Sequence, residues 1–330
     1  MNSLLLISIL VTLALIFDFL NGFHDSANVV ATMISSRAMT PRAALFIAAA
    51  ANFIGPFLFG VAVAKTIGNE VVKVETITIA VVLAALVSAS LWNLFTWYFG
   101  IPSSSSHALI GGIIGAVLVG SGYDAIKIEG LLIVGTALFF SPIIGFVVGL
   151  FVMRITLAAA RGATPKANLF FKAAQIPTAI GLALSHGTND AQKTMGIITM
   201  GLVVLGYQAD FNVPRWVIFA SATAIGLGTA FGGWRIIHTL GAKFYRIRPI
   251  HSFTSQLTSA AVILGASLTG GPVSTTHVVS SSILGVGDAQ RRSQVRWGVM
   301  TEILIAWLLT VPATAVVADI LYFPIAHFVS

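Results

Sequence analysis

The chain has 330 residues, 57% of them hydrophobic and only 9% charged, with a mean hydropathy of +0.94. A soluble domain carries about a quarter charged residues, so this chain cannot cover a water-facing surface, and its solvent must be lipid. Disordered and disulfide-rich classes are excluded too, and the net charge of +7 does not point to nucleic acid, because the basic residues fill short gaps between apolar runs.

A span needs about 20 apolar residues. Residues 1–17 carry no Asp, Glu, Lys or Arg, and neither do 43–64, 76–123, 130–153, 216–234 and 253–287. The first run lacks a basic start and continues through Asp18 into more apolar sequence, so a retained helix is expected rather than a cleaved leader. The runs 76–123 and 253–287 are long enough to cross twice or to enter and return. Residues 174–206 and 297–323 are apolar with a few charged interruptions. If the chain starts outside, thirteen of the 18 Lys and Arg fall in inside gaps. Lys65, Lys73, Lys127 and Arg215 fall outside, and Lys193 lies within an apolar stretch. That bias is the one positive-inside loops predict. It places both termini outside a cell (inner) membrane and the basic linker 154–175 in the cytoplasm. Trp92, Trp97, Tyr98, Trp216, Trp234 and Trp297 mostly stand near run ends, as interface anchors do.

The chain is written twice. Asn21-Gly22-Phe23-His24-Asp25-Ser26-Ala27-Asn28 is matched by His186-Gly187-Thr188-Asn189-Asp190-Ala191-Gln192-Lys193, with Asp25 and Asp190 offset by 165 residues. Ile101-Pro102-Ser103-Ser104-Ser105-Ser106-His107 is matched by Gly271-Pro272-Val273-Ser274-Thr275-Thr276-His277, offset by 170 residues. Each half reads as a broken helix with an Asp motif, a full helix, a hairpin interrupted at the Pro-Ser motif, and a last helix. Three crossings plus a returning hairpin make an odd count, so the second copy sits upside down relative to the first. The expected fold is an all-α polytopic membrane protein of two inverted-topology repeats, 1–153 and 176–330, joined by the linker 154–175. Secondary transporters are built this way, with the site near the midplane.

Proline permits a helix to start just after it. Ser104, Ser105 and Ser106, and Ser274, Thr275 and Thr276, are therefore expected at the N-termini of half-helices, where free N–H groups and hydroxyls bind an oxyanion. A Ser-rich helix packed closely on its neighbours is the plainer alternative for one such tract, but it does not account for a matched pair. Carboxylates in an apolar span are costly and presumed functional. Asp25 and Asp190, with Asn21 and Asn189, form a hard-oxygen environment for a coupling cation. Asn28, Gln192 and Lys193 join the two Asp on the anion side, and Lys193 pairs with Asp190 three residues back. A carboxylate accepts a hydrogen bond from hydrogen phosphate, whereas sulfate offers no proton, so phosphate is favoured over sulfate. His24, His107, His186 and His277 fall in or beside the motifs and keep a divalent-metal carrier open as an alternative. Asp18, Glu302 and Asp319 have no counterpart in the other half.

These residues resemble the inorganic phosphate transporter (PiT) family. Gly187-Thr188-Asn189-Asp190 fits the family's Gly-x-Asn-Asp signature, Gly22 to Asn28 fits with His24 in place of the first Asn, and the two Pro-Ser hairpin motifs follow in order. The resemblance implies a cation-coupled importer of inorganic phosphate working by alternating access. The anion would be held between hairpin tips and Asp-bearing helices, with H⁺ or Na⁺ co-transported and no resident cofactor. Lys193 looks like the low-affinity, proton-linked bacterial branch. No enzymatic activity is expected, since no Gly-x-Ser-x-Gly elbow is present, and no phosphate loop for nucleotide is present either. A homodimer and a sulfate permease on the same scaffold are open alternatives.

Overall fold

The computed structural model describes residues 2–329. Helix makes up 83% of it, with no strand. The first half holds α1 (Ser3–Ser35), α2 (Pro41–Leu58), the short α3 (Ala62–Lys65), α4 (Ile79–Phe99), α5 (Ser105–Gly120) and α6 (Ile128–Ala159). The second half holds α7 (Ala167–Val204), α8 (Arg215–Phe231), the short α9 (Trp234–His238), α10 (Pro249–Leu268), α11 (Thr275–Arg291) and α12 (Trp297–Val329). The two halves correspond element for element. A π-helical turn follows each short helix, at Thr66–Glu70 and at Thr239–Lys243. Among the described residues, α1, α2, α4, α6 and α12 are each long and apolar enough to cross a membrane, and α8 with the segment Trp234–Lys243, bent by 61° from it, has the length and composition of a broken span or a re-entrant loop. Large apolar side chains such as Phe46, Phe139, Phe151 and Leu308 stand exposed, as a lipid solvent requires.

One detail differs from the sequence reading. The Asp-bearing helices are not broken: α1 runs through 33 residues and α7 through 38. Neither polar motif contains a proline, since Pro177 of α7 precedes its motif. Asp25, Asn28 and Asp190 find partners on α11 while the backbone ladder stays intact. The break falls one element later in each half, after Leu58 and after Phe231, where Gly60 and Gly232 stand.

The buried apolar side chains form two clusters with a polar belt between them. α1 gives Leu6, Leu10 and Phe17 to the first cluster and Val29, Val30 and Met33 to the second. α7 runs the other way, giving Ala179 and Leu182 to the second cluster and Met195, Ile198 and Leu202 to the first. α5 belongs to the first cluster and its equivalent α11 to the second. The halves also clasp each other, since α1 packs on α8, α2 on α7, α5 on α12 and α6 on α11. The signature glycines permit two of these crossings. A Cβ on Gly22 would stand 2.3 Å from the Ile225 carbonyl oxygen, and one on Gly187 would stand 2.3 Å from that of Asn52. Small residues at such crossings let helices approach closely in lipid.

Candidate functional site

Each Pro-Ser motif makes a hairpin tip. α4 stops at Gly100 with φ 69°, and α10 gives way to Gly270 with φ 77°, a left-handed backbone that glycine adopts at little cost. After the proline, a serine caps the next helix in each half. The His107 N–H donates to Ser104 Oγ at 3.2 Å, and the His277 N–H donates to Ser274 Oγ at 3.2 Å. Such caps contribute about 1 kcal/mol each. The hydroxyls of Ser105 and Ser106, and of Thr275 and Thr276, therefore stand in first helical turns, where free N–H groups and the positive end of the helix dipole favour an anion.

The tips are held by the opposite half. Thr66, in the π-turn of the first half, donates to the Gly270 carbonyl at 2.9 Å. Thr239, its equivalent, donates to the Gly100 carbonyl at 2.8 Å. Where the tips meet, Ser106 Oγ donates to the Val273 carbonyl at 3.3 Å, and the rings of His107 and His277 lie 4.4 Å apart. Trp307 of α12 stacks on His277 at 3.7 Å and donates its indole N–H to the Pro102 carbonyl at 2.9 Å, so one side chain ties both tips.

Asp25 and Asp190 converge beneath the second tip. Thr275 Oγ1 lies 2.9 Å from Asp190 Oδ2 and 3.2 Å from Asp25 Oδ2. Thr276 Oγ1 lies 3.1 Å from Asp25 Oδ1 and accepts from Asn28 Nδ2 at 3.0 Å. Lys193 donates to Asp190 and to the Val273 carbonyl at 3.1 Å. His186 Nε2 sits 3.0 Å from Asp190 Oδ2 and 3.9 Å from Asp25 Oδ2, and its Nδ1 faces Asn52 Oδ1 at 3.2 Å. His24 Nδ1 lies 2.6 Å from Asp25 Oδ1. Asp25, Asp190, Lys193, Thr275 and Thr276 are each at most 2% exposed. Two carboxylates in such a place demand positive charge or donors, and Lys193, two histidines and two hydroxyls surround them. Asp25, His186 and Asp190 each offer an atom within 4.8 Å of the others, a spacing that could also hold a cation.

Other expected residues stand around this centre. Ser105 Oγ is buried with no partner. Asn189 donates to Ser267 Oγ at 2.8 Å, beside the second tip. Asn21 is buried with neither amide atom bonded. Gln192 turns away, its Oε1 accepting the Val63 N–H at 2.8 Å at the start of α3. The sequence offers His186 only as one of four motif histidines open to a divalent metal, and Thr66, Thr239 and Trp307 are not expected at the site from it. The matched Thr-x-Gly triplets at 66–68 and 239–241 are the signal that could have found the two threonines.

The sequence profile of the phosphate transporter family matches residues 21–161 and 156–318. The chain belongs to the phosphate transporter family. It is 48% identical to a protein of Bacillus subtilis described as a probable low-affinity inorganic phosphate transporter, over 98% of each chain. It is 46% identical to a protein of the same description from Rhizobium meliloti, over 95% of each. Among solved structures, a sodium-dependent phosphate transporter superposes with a TM-score of 0.87 at 27% identity, covering 96% of this chain and 98% of that one. This phosphate transporter family member thus shares its fold with the solved transporter along nearly the whole of both chains.

Proposed function

We propose that the chain imports inorganic phosphate across the cell membrane as a secondary transporter, coupled to a cation, by alternating access. The observation that carries this reading is the joint contact of Thr275 with Asp25 and Asp190 beneath two tips that meet each other. Hydrogen phosphate can take hydrogen bonds from tip N–H groups and hydroxyls while donating its own proton to a carboxylate. Sulfate at neutral pH has no proton to donate and meets only repulsion there. The names and similarity of the relatives support the same substrate.

The halves, 1–153 and 176–330, are read as inverted copies. Opposite travel of α1 and α7 between the two apolar clusters supports this, as does the placing of α5 and α11 in opposite clusters. In that frame the positive-inside bias sets both termini outside and the linker 154–175 in the cytoplasm. The anion would bind at Ser104–Ser106, Ser274–Thr276, Asn28 and Lys193 with the two Asp, whereas Gln192, expected beside them, faces α3. Asn21 and Asn189 would join Asp25 and Asp190 in sensing the coupled cation. Rocking of the halves about this site exposes it to each side in turn.

Uptake of labelled phosphate by proteoliposomes, under separate proton and sodium gradients, tests the reading. Accumulation that excess sulfate does not compete away is expected. Absence of uptake under either gradient, or equal competition by sulfate, would overturn it.

A further inference from the structure

Asp18 lies on α1, seven residues before Asp25 on the same face and about 10 Å along the axis. It is wholly buried, and neither of its oxygens receives a hydrogen bond. Glu302, by contrast, is exposed, and Asp319 is half-buried. The Thr194 hydroxyl on α7 faces the Asp18 carboxyl without bonding to it, and Asn21, one turn along α1, is equally buried and unpartnered. The charged and titratable groups facing Asp18 are Asp190, Lys193 and His186, all on α7. α4 carries no Asp, Glu, Lys, Arg or His, and α8 carries only Arg215, exposed at its start.

The two halves differ in charge at two places. Lys193 stands where the first half has Asn28, and Asp18 stands where the second half has Ala183. One departure adds an ammonium and the other adds a carboxyl. The ammonium is spent on Asp190 and a carbonyl, which leaves Asp18 without an ion-pair partner. An ionised carboxylate so placed has lost its water and gained nothing in return. A hard metal cation takes about six oxygen ligands, whereas Asp18 with the Asn21 amide oxygen and the Thr194 hydroxyl offers four. A proton needs one oxygen.

We propose that Asp18 carries the coupling proton. Its carboxylate takes H⁺ from the outer side to become a carboxylic acid as phosphate binds, and returns H⁺ to the inner side when phosphate leaves. This deepens the proposed import and rests on it. The tests use purified full-length protein in sodium-free proteoliposomes with labelled phosphate. For Asp18→Asn, accumulation driven by an inward proton gradient is expected to fall to the level of protein-free vesicles. Its phosphate–phosphate exchange at equal pH on both sides is expected to match the unaltered chain. Asp18→Glu is expected to restore accumulation with a displaced pH midpoint. Gradient-driven accumulation by Asp18→Asn overturns the proposal, as does joint loss of accumulation and exchange in a correctly inserted variant. Should Asp18→Asn fail to insert, an unchanged midpoint for Asp18→Glu overturns it equally. Absence of exchange in the unaltered chain is a separate outcome, and it defeats phosphate import rather than the role of Asp18.

Discussion

Asp190 accepts from the Lys193 ammonium and from Thr275, and His186 lies against its second oxygen. Removing one partner of a buried ion pair leaves an uncompensated charge and costs about 3–5 kcal/mol. Lys193→Met is therefore expected to lower the midpoint of thermal unfolding in detergent. Adding Asp190→Asn should recover most of that loss without restoring transport. A full-strength midpoint in Lys193→Met alone would show that the pair is not holding the site together. Asp25→Asn and Asp190→Asn are each expected to abolish phosphate uptake with normal insertion, and near-normal uptake by either would remove the carboxylates from the site. Ser105→Ala and Thr275→Ala are expected to raise the phosphate concentration for half-maximal uptake. An unchanged value would misplace the anion. Much of this centre is legible in the sequence, because Asp25, Asp190 and the two Pro-Ser tracts recur in order. His186 is not, because its counterpart is Asn21, and a lone histidine in a motif carries no direction. Its ring is aimed at Asp190 through Asn52, a residue on α2 that no local pattern connects to it.

The elements show where local pattern gives out. The half-helices begin at Ser105 and Thr275, where proline followed by a serine cap says they should. The Asp motifs, crowded with polar groups, suggest breaks in α1 and α7 instead. Helix continuity depends on the backbone ladder, and a polar side chain does not interrupt it when another helix supplies partners. The actual breaks follow Leu58 and Phe231, and each leads into a π-turn whose threonine holds the opposite tip. Thr66→Val and Thr239→Val each remove one such hydrogen bond while keeping the side chain's shape. Each is expected to slow transport without abolishing binding, measured as a fall in maximal uptake at constant apparent affinity. Unchanged maximal rates in both would leave the clasps as packing alone. Gly22→Ala and Gly187→Ala place a methyl 2.3 Å from a carbonyl oxygen. Overpacking of that kind costs about 1–3 kcal/mol, and it is expected to lower thermal stability in both variants alike. Equal stability to the unaltered chain would mean that the crossings have room to spare.

At the scale of the whole molecule, duplication governs what can be read. Offsets of 165 and 170 residues between motifs stand in the amino-acid sequence itself, and the apolar composition names the lipid solvent. The exchange of partners between halves leaves no such trace. α5 packs on α12 and α11 on α6, and Trp307, whose place in the first half is taken by Ala137, ties both tips. Such contacts pair residues of different halves that share no local pattern, so only the folded chain reveals them. On the proposed reading, a two-fold relation between the halves would let one anion face both tips, and its departures at Lys193 and Asp18 would be where coupling enters. A map of the protein in lipid nanodiscs at saturating phosphate tests the central claim most directly. One tetrahedral density is expected between the first turns of α5 and α11, touching Ser105 and Thr275, with Asp25 and Asp190 on its flank. Density lodged elsewhere, with that space unchanged, would contradict the shared site.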